Sequence, residues 1–420
     1  MKAVVFSLGC KVNQCEGQSM IAALRARGIE ATDTLQSADI YIVNTCSVTG
    51  EADRKSRQAI ARLRKCNPAA AIYVCGCSSQ NDPRAFAEKA GVRIVTGTAR
   101  KQEFVERVLA DFSQDAHAGQ TDVQPLPSCY EDAPLPQHTK TRSYIKIQDG
   151  CNNFCSYCII PYLRGRSRSR SLQSIVDEAR TAARSTREIV LTGINASAYG
   201  ADRGESLCSL ARALGGIEAR KRFGSLECTA VNDELLTAMA ENGFCDHFHL
   251  SLQSGSESVL KRMNRKYTPA FFLACVERIR RYFPHAGVTT DIITGFGGET
   301  EEEFGQTEAF VRQVRFSELH VFPYSERAGT RAATMPQIEK AVRCERANRL
   351  IALGDELHAA FIESERGRTH EVYAETAEDG YTAGYTTNYI KVYSSVPIGR
   401  TGKVTLGDFY KDGVIGGITK

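Results

Sequence analysis

The segment Cys151-Asn152-Asn153-Phe154-Cys155-Ser156-Tyr157-Cys158 places three cysteines within eight residues. The apolar run at 143–147 predicts a β-strand, so the cysteines lie in the loop that follows it. A structural zinc site usually needs four ligands, and neither a histidine nor a fourth cysteine lies nearby. Three thiolates can hold three irons of a [4Fe–4S] cluster and leave the fourth iron open to a ligand. Zinc or structural thiols are the alternative.

Strand and helix patterns alternate on both sides of this triplet. The central part of the chain predicts strands at 143–147, 188–192, 222–227, 247–252, 288–293 and 318–321. Helical patterns between them include 172–185, 269–282 and 301–314. Six strand–helix units fit a partial or full β/α barrel, whose active site lies at the carboxyl ends of the strands.

The rest of the chain divides by composition and pattern. Residues 1–112 alternate strands and helices, which predicts a parallel α/β sheet domain. Residues 113–140 hold four of the 12 prolines and are predicted to be a linker. Residues 141–368 form the barrel domain with a long charged helix at 337–365, and the short alternating runs of 369–420 predict a small all-β barrel.

Composition narrows the class of protein. The chain has 420 residues, a formal net charge of +4 and 42% hydrophobic residues, which are ordinary values for a folded protein. No apolar run is long enough to span a membrane, and the first residues do not resemble a signal peptide. We therefore expect a cytoplasmic protein without a membrane partner. In a reducing cytosol its 15 cysteines are more typical of metal ligands or catalytic groups than of disulfides.

Three further cysteines follow predicted strands of the N-terminal sheet. Cys10 follows the first strand, Cys46 the second and Cys77 the third. Because the carboxyl ends of parallel strands lie on one edge, these residues should converge, and three thiolates there can hold a second cluster. Cys75 is a nearby competitor for the third position.

These motifs resemble a known family, the radical S-adenosylmethionine methylthiotransferases. The triplet within its context from Gly150 to Arg170 resembles the family's barrel signature. The N-terminal segments Ser7-Leu8-Gly9-Cys10-Lys11-Val12-Asn13-Gln14, Asn44-Thr45-Cys46-Ser47-Val48 and Gly76-Cys77-Ser78-Ser79-Gln80 resemble its three other ligand motifs. The resemblance favours Cys77 over Cys75. It implies two [4Fe–4S] clusters, bound by Cys10, Cys46 and Cys77 and by Cys151, Cys155 and Cys158, with S-adenosylmethionine as the second cofactor.

Other barrel residues are candidates for cofactor contact. Glu227 ends one predicted strand and Gln253 follows another. They resemble the family's SLE and LQSGS segments, so they are expected to line the S-adenosylmethionine pocket. Tyr157 lies between two predicted ligands, where its ring can meet the adenine. The alternatives are strand-end polar groups with local partners and plain packing. Gly297 stands where the family's GFPGE turn usually has proline.

Several features indicate contact with RNA. Segments 140–170 and 261–281 each carry a net charge of +6, which suggests phosphate contacts near the active site or else a solvated basic face. A further alternative is that Arg164 and Arg166 serve the cofactor. Residues 384–392 and 402–406 resemble a TRAM domain, an RNA-binding module, in which Tyr385, Tyr389 and Tyr393 are either base-stacking surfaces or buried barrel residues. Against RNA binding, residues 369–420 have a net charge of −1.

The resemblance implies a function. We expect transfer of a methylthio group to carbon 2 of N6-threonylcarbamoyladenosine at position 37, beside the anticodon of a tRNA, with two molecules of S-adenosylmethionine and an electron donor protein. The segment Leu8-Gly9-Cys10-Lys11-Val12-Asn13 resembles this branch of the family. The isopentenyladenosine branch more often has a GCQMN-like segment, and a third branch modifies an aspartate of a ribosomal protein. A zinc-bearing RNA-binding protein is the alternative that is not an enzyme.

Overall fold

A computed structural model describes residues 1–114, 119–138 and 141–418. It contains an N-terminal parallel sheet, a central curved parallel sheet and a closed C-terminal barrel. This α/β architecture with an all-β end confirms the predicted fold class. No helix of the described ranges has the length and apolar character needed to cross a membrane.

The N-terminal unit is a six-stranded parallel sheet covered by helices on both faces. Its strands are β1 (Lys2–Ser7), β2 (Glu30–Thr32), β3 (Ile40–Thr45), β4 (Ala71–Gly76), β5 (Val92–Thr96) and β6 (Gln120–Asp122). Its helices are α1 (Lys11–Arg25), α2 (Gly50–Cys66), α3 (Cys77–Asn81), α4 (Arg84–Ala87) and α5 (Lys101–Gln114). The strand order is β2-β1-β3-β4-β5-β6. Every residue of β3 and β4 is buried, because both faces of a parallel sheet are covered.

The central unit is an incomplete β/α barrel. Its strands are β7 (Arg142–Asp149), β8 (Arg168–Ser169), β9 (Glu188–Gly193), β10 (Arg220–Phe223), β11 (His247–Gln253), β12 (Gly287–Thr294) and β13 (Glu318–Pro323). Its helices are α6 (Ile160–Arg164), α7 (Leu172–Ala182), α8 (Leu207–Ala213), α9 (Asp233–Glu241), α10 (Glu257–Arg262), α11 (Pro269–Tyr282), α12 (Glu301–Val314) and α13 (Lys340–Glu365). Isolated parallel bridges join β10 and the following loop to the region of β11, so the sheet continues from β7 to β13.

The C-terminal unit is a closed five-stranded barrel. Its strands are β14 (Thr369–Glu378), β15 (Tyr381–Thr386), β16 (Lys391–Ser394), β17 (Thr401–Tyr410) and β18 (Gly413–Ile418). The order around the barrel is β14-β15-β16-β18-β17, and closure leaves no free sheet edge. Its apolar core contains residues from four of these strands and Ile362 of α13.

Several elements differ from the sequence prediction. The helical periodicity of the sequence covers 18–27, whereas helix α1 begins seven residues earlier, at Lys11. Strand β6 lies inside the predicted linker and pairs with β5, so the N-terminal sheet extends beyond residue 112. Strand β10 ends at Phe223, and Glu227 lies in the loop after it rather than at the strand end.

Candidate functional site

All six predicted cluster cysteines line one cavity of about 740 Å³. Its walls come from loops after the N-terminal strands, from loops of the central barrel and from Tyr389 of the C-terminal barrel. The fold therefore brings together two cysteine triads that are separated by more than 70 residues of sequence.

The barrel triad is held by a tight loop after β7. Gly150 has a φ of +71°, and a Cβ there would lie 2.0 Å from the Arg166 carbonyl oxygen. Only glycine fits this turn, which sets the direction of Cys151. The backbone N–H of Cys158 donates to the Cys155 carbonyl at 2.9 Å. Burial, and then the neighbouring thiolates Cys155 and Cys151, raise the pKa of Cys158 to about 12.

The N-terminal triad is assembled from three loops at one sheet edge. Cys10 caps α1, Cys46 follows β3, and Cys77 begins α3. Cys46 and Cys77 are 2% and 3% exposed. Burial raises the pKa of Cys77 to about 12, with Cys10 a further contributor. Buried neutral thiols of this kind lose their protons when a cationic metal centre binds.

The two candidates for the third position differ in their surroundings. Cys77 lines the cavity with Cys10 and Cys46. Cys75 lies within β4, fully buried in the apolar core beside α1 and α5, and its thiol is 3.7 Å from the Asn44 side-chain oxygen. This placement supports Cys77 rather than Cys75 as the third ligand of the N-terminal triad. The role of Cys77 as a ligand stays a prediction.

The donor sets suit clusters of several irons. Each triad offers three thiols and faces the same cavity. Within the described ranges, no three histidine, cysteine or carboxylate side chains are arranged as ligands of one metal ion. In a [4Fe–4S] cluster each thiolate binds a different iron, so the three thiolates of a triad need not surround a single metal ion.

Arg164 links the N-terminal triad to the barrel. It lies in α6, six residues after Cys158, and its side chain is 0% exposed. Its Nε donates to Cys77 Sγ at 3.2 Å, and its Nη1 donates to Glu16 Oε1 at 2.7 Å and to Asp149 Oδ1 at 3.1 Å. Against the opposing effect of burial, Arg164 and Lys146 hold the pKa of Glu16 well below its usual range. The guanidinium is thus a charged link between the N-terminal sheet and the barrel.

Arg265 and Glu227 form a second polar group beside the barrel triad. Arg265 Nη1 donates to Cys155 Sγ at 3.3 Å, and its Nη2 lies 3.0 Å from Glu227 Oε1. The Asn153 side chain donates to the same Glu227 oxygen at 2.7 Å. Glu227 is therefore held in place at the cavity wall.

Tyr157 and Gln253 also line this cavity. The Tyr157 ring packs edge-on against Phe296, with centroids 6.5 Å apart. Gln253 has a φ of +75°, an uncommon backbone conformation for a residue other than glycine. Tyr157, Glu227 and Gln253 thus lie in one cavity with the barrel triad, and their contact with a cofactor stays a prediction.

The first basic segment does not form the predicted phosphate-binding surface. Arg164 is buried as described, Arg168 donates to the Arg164 carbonyl at 2.6 Å, and Arg170 is paired with Glu178. Only Arg166 of the four alternating arginines is exposed, and its guanidinium lies over the Phe154 ring. Lys140 of this segment lies outside the described residues. The prediction was wrong for the three buried arginines, because their acidic partners meet them only in the fold.

The second basic segment is divided between internal and exposed residues. Arg262 is paired with Glu303 at 2.7 Å, and Arg265 faces the cavity. Lys261 and Lys266 are exposed. Arg281 is exposed as well. A contact of this segment with RNA phosphates stays a prediction, and Lys261, Lys266 and Arg281 are the residues open to it.

The C-terminal tyrosines do not form an open stacking surface. Tyr393 is 0% exposed, and its hydroxyl donates to Asp412 at 2.5 Å. The Tyr389 hydroxyl donates to Glu188 at 2.9 Å, and its ring lies beneath Arg222. The Tyr385 ring lies beneath Arg142 at 4.8 Å. The prediction of a stacking role is wrong for Tyr393, while Tyr389 docks the small barrel against the cavity.

Comparison with known proteins places this geometry in a family. The sequence-family model described as the radical SAM superfamily matches residues 145–311. The sequence-family model described as the uncharacterized protein family UPF0004 matches residues 2–97. The chain is 39% identical to the threonylcarbamoyladenosine tRNA methylthiotransferase of Bacillus subtilis (strain 168), over 93% of this chain and 90% of the relative. It is 36% identical to the tRNA-2-methylthio-N(6)-dimethylallyladenosine synthase of Thermoanaerobacter sp. (strain X514), over 87% and 80%.

Solved structures support the same fold. The radical S-adenosylmethionine methyltransferase TsrM from Kitasatospora setae superposes with a TM-score of 0.57 at 14% identity, over 79% of this chain and 77% of that one. At this identity the likeness shows the architecture alone. Taken with the sequence relatives and the shared cavity of the two triads, it leads to one conclusion: the chain belongs to the radical S-adenosylmethionine tRNA methylthiotransferases.

Proposed function

We propose that this protein transfers a methylthio group to carbon 2 of N6-threonylcarbamoyladenosine at position 37 of tRNA. The observation that carries the proposal is that both cysteine triads line one cavity. A reaction that needs radical formation and sulfur transfer at one carbon atom requires both sites to face the same substrate. The relative from Bacillus subtilis and others of the same name at 34–36% identity support this substrate.

We assign one [4Fe–4S] cluster to each triad: Cys151, Cys155 and Cys158 in the barrel, and Cys10, Cys46 and Cys77 in the N-terminal sheet. When bound, the barrel cluster supplies the electron that cleaves S-adenosylmethionine to a 5′-deoxyadenosyl radical, and the N-terminal cluster carries the sulfur for transfer. The position of all six cysteines on the walls of one cavity and the burial of Cys46, Cys77 and Cys155 support this assignment.

The chain's own residues bind and shield the reactants in this proposal. Tyr157, Glu227 and Gln253 line the S-adenosylmethionine pocket. Both of the bonds that hold Glu227 use Oε1, and Oε2 accepts none from the described residues, so it is available to a cofactor hydroxyl or amine. Arg265 orients Glu227 and at the same time contacts Cys155. A carbon radical requires that water be kept away, and the loops that form the cavity walls are the part of the chain that would do this.

The partners follow from this activity. The anticodon stem-loop of tRNA is the substrate. The exposed cations of the two basic segments, Arg166, Lys261, Lys266 and Arg281, are candidates for contact with its phosphates. An electron donor protein reduces the barrel cluster. We place the reaction in the cytoplasm, with no membrane partner. The boundaries 1–112, 113–140, 141–368 and 369–420 are proposed as functional domains, the last of them a TRAM domain.

A second candidate is isopentenyladenosine tRNA, since dimethylallyladenosine synthases match this chain at 35–38% identity. Mass spectrometry of tRNA nucleosides from a deletion strain distinguishes the two. We expect N6-threonylcarbamoyladenosine without methylthio and normal methylthio-isopentenyladenosine. The reverse pattern would assign the chain to the second branch, and an unmodified ribosomal aspartate with normal tRNA to the third. A zinc-bearing RNA-binding protein would leave all three products unchanged.

A further inference from the structure

One corner of the shared cavity is strongly polar. We call it the polar corner and define it by Lys11, Arg222, His247, His249, Asp291 and Tyr389, which all line the cavity. These side chains are contiguous: the His247 and Tyr389 rings lie 4.5 Å apart, and Tyr389 accepts a bond from Arg222 at 2.5 Å. An apolar substituent of a substrate would find no matching surface there.

Most charges in the polar corner already have partners. Arg222 Nε lies 3.0 Å from Glu188 Oε1. The Asp291 carboxylate lies 3.2 Å from His249 Nε2, whose other ring nitrogen is 2.9 Å from the Thr289 hydroxyl. Glu188 and Asp291 both attract the Lys11 ammonium electrostatically. Each carboxylate, however, is paired with another residue, Glu188 with Arg222 and Asp291 with His249.

Two groups in the polar corner lack a partner. The Lys11 ammonium has no hydrogen bond or ion pair with any residue in the described ranges, although it lies beside the cation of Arg222. His247 is 7% exposed, and its Nδ1 is a buried nitrogen without a hydrogen-bond partner in the same ranges. Burial, and then Arg222, hold the pKa of His247 well below its usual range, so its ring is neutral. Together they offer a cation and a neutral polar group to an anionic ligand with a further polar group.

We propose that Lys11 is a specificity residue whose ammonium pairs with the carboxylate of the threonylcarbamoyl group, with His247 Nδ1 bonded to a neutral polar group of the same substituent. This inference rests on the proposed function. A dimethylallyl group has no polar atom to offer, so its entry would leave a desolvated cation unpaired. The polar corner thus selects for the acidic substituent and against the apolar one.

The test measures binding to the enzyme with both clusters loaded and without a reductant, so that no turnover occurs. The probes are anticodon stem-loop RNAs that carry at position 37 either N6-threonylcarbamoyladenosine, its carboxyl methyl ester, or unmodified adenosine. The wild type should bind the first probe more tightly than the other two. Lys11→Met should lose at least about 30-fold in affinity for the carboxylate probe, which is the lower range for removing one partner of a buried charge pair, and little for the other two.

Lys11→Arg is the matched control, because it keeps the charge and should retain most of the preference. Iron content checks that the neighbouring Cys10 site is intact in each variant. If Lys11→Met still prefers the carboxylate over its ester by the wild-type factor, the inference is wrong. If the wild type itself shows no preference for the threonylcarbamoyl probe over adenosine, the proposed function fails instead, so the two failures are distinguishable.

Discussion

Arg164→Met removes the cation that links the two halves of the site. The arginine side chain is 0% exposed and contacts Glu16, Asp149, Asn13 and Cys77. Methionine fills a similar volume, so the main effect is the loss of charge and hydrogen bonds rather than a cavity.

The expected loss in the free energy of unfolding depends on the charges that stay buried in the variant. The side chains of Glu16 and Asp149 are 7% and 8% exposed, so both carboxylates stay buried. Lys146 still contacts them at 2.8 and 2.7 Å, and Arg168 Nη2 lies 3.3 Å from Asp149 Oδ2, so two cations remain beside the two carboxylates. Breaking a buried pair costs about 3–5 kcal/mol, and these remaining cations place this variant near the lower value of about 3 kcal/mol.

The assay is urea unfolding of the iron-free protein, compared with Arg166→Met as the control. Arg166 lies two residues away but is exposed and contacts only the Phe154 ring among described side chains, a contact worth up to about 1 kcal/mol. With a dependence of about 3 kcal/mol per molar urea, Arg164→Met should unfold at about 1 M lower urea. Equal midpoints for the two variants would refute the reasoning that Arg164 is a buried structural link.

Three further predictions follow from the site. Cys155→Ala should abolish 5′-deoxyadenosine formation because the barrel triad loses a ligand, and cleavage of S-adenosylmethionine at the wild-type rate would contradict the radical assignment. Cys75→Ala should keep full iron and activity whereas Cys77→Ala should lose about half of the iron; the opposite result in iron analysis would show that Cys75 is the ligand. The pKa of Glu303 is lowered to about 2, chiefly by the hydrogen bond from Arg262. The ionised carboxylate therefore stabilises the folded protein at pH values above the pKa that Glu303 has in the unfolded chain. This stabilisation is lost as the pH falls towards 2. In thermal unfolding, Glu303→Gln should therefore lose less stability between about pH 4.5 and 2 than the exposed control Glu302→Gln. The same pH profile for both variants would contradict the pairing of Glu303 with Arg262.

Regular elements with clear end signals were predictable from the sequence. Helices α11 and α12 have the predicted bounds, because Thr268 and Thr300 cap their first turns and Pro269 suits the first helical position. The apolar run at 92–96 also predicts strand β5 with the bounds that the structure has. Short or glycine-containing strands were missed: β2 and β6 have three residues each, and β15 carries Gly384 in its interior.

The cysteines of the site were predictable because their spacing and position after strands carry the signal. The polar residues around them were not. Arg164 meets Glu16 across 148 residues of sequence and Arg265 meets Cys155 across 110. A basic residue paired inside the fold has the same local sequence as one that faces RNA, so both appeared as parts of basic segments. No periodicity or motif separates the two cases, since the partner lies far away in the sequence.

The central claim is that two clusters with different roles serve one cavity. The most direct test replaces Cys10, Cys46 and Cys77 together with alanine and then measures iron, 5′-deoxyadenosine and methylthiolated tRNA in one reconstituted sample. The account predicts about half of the wild-type iron, continued cleavage of S-adenosylmethionine at the barrel triad and no 2-methylthio-N6-threonylcarbamoyladenosine. Methylthiolated tRNA from this triple variant would contradict the account.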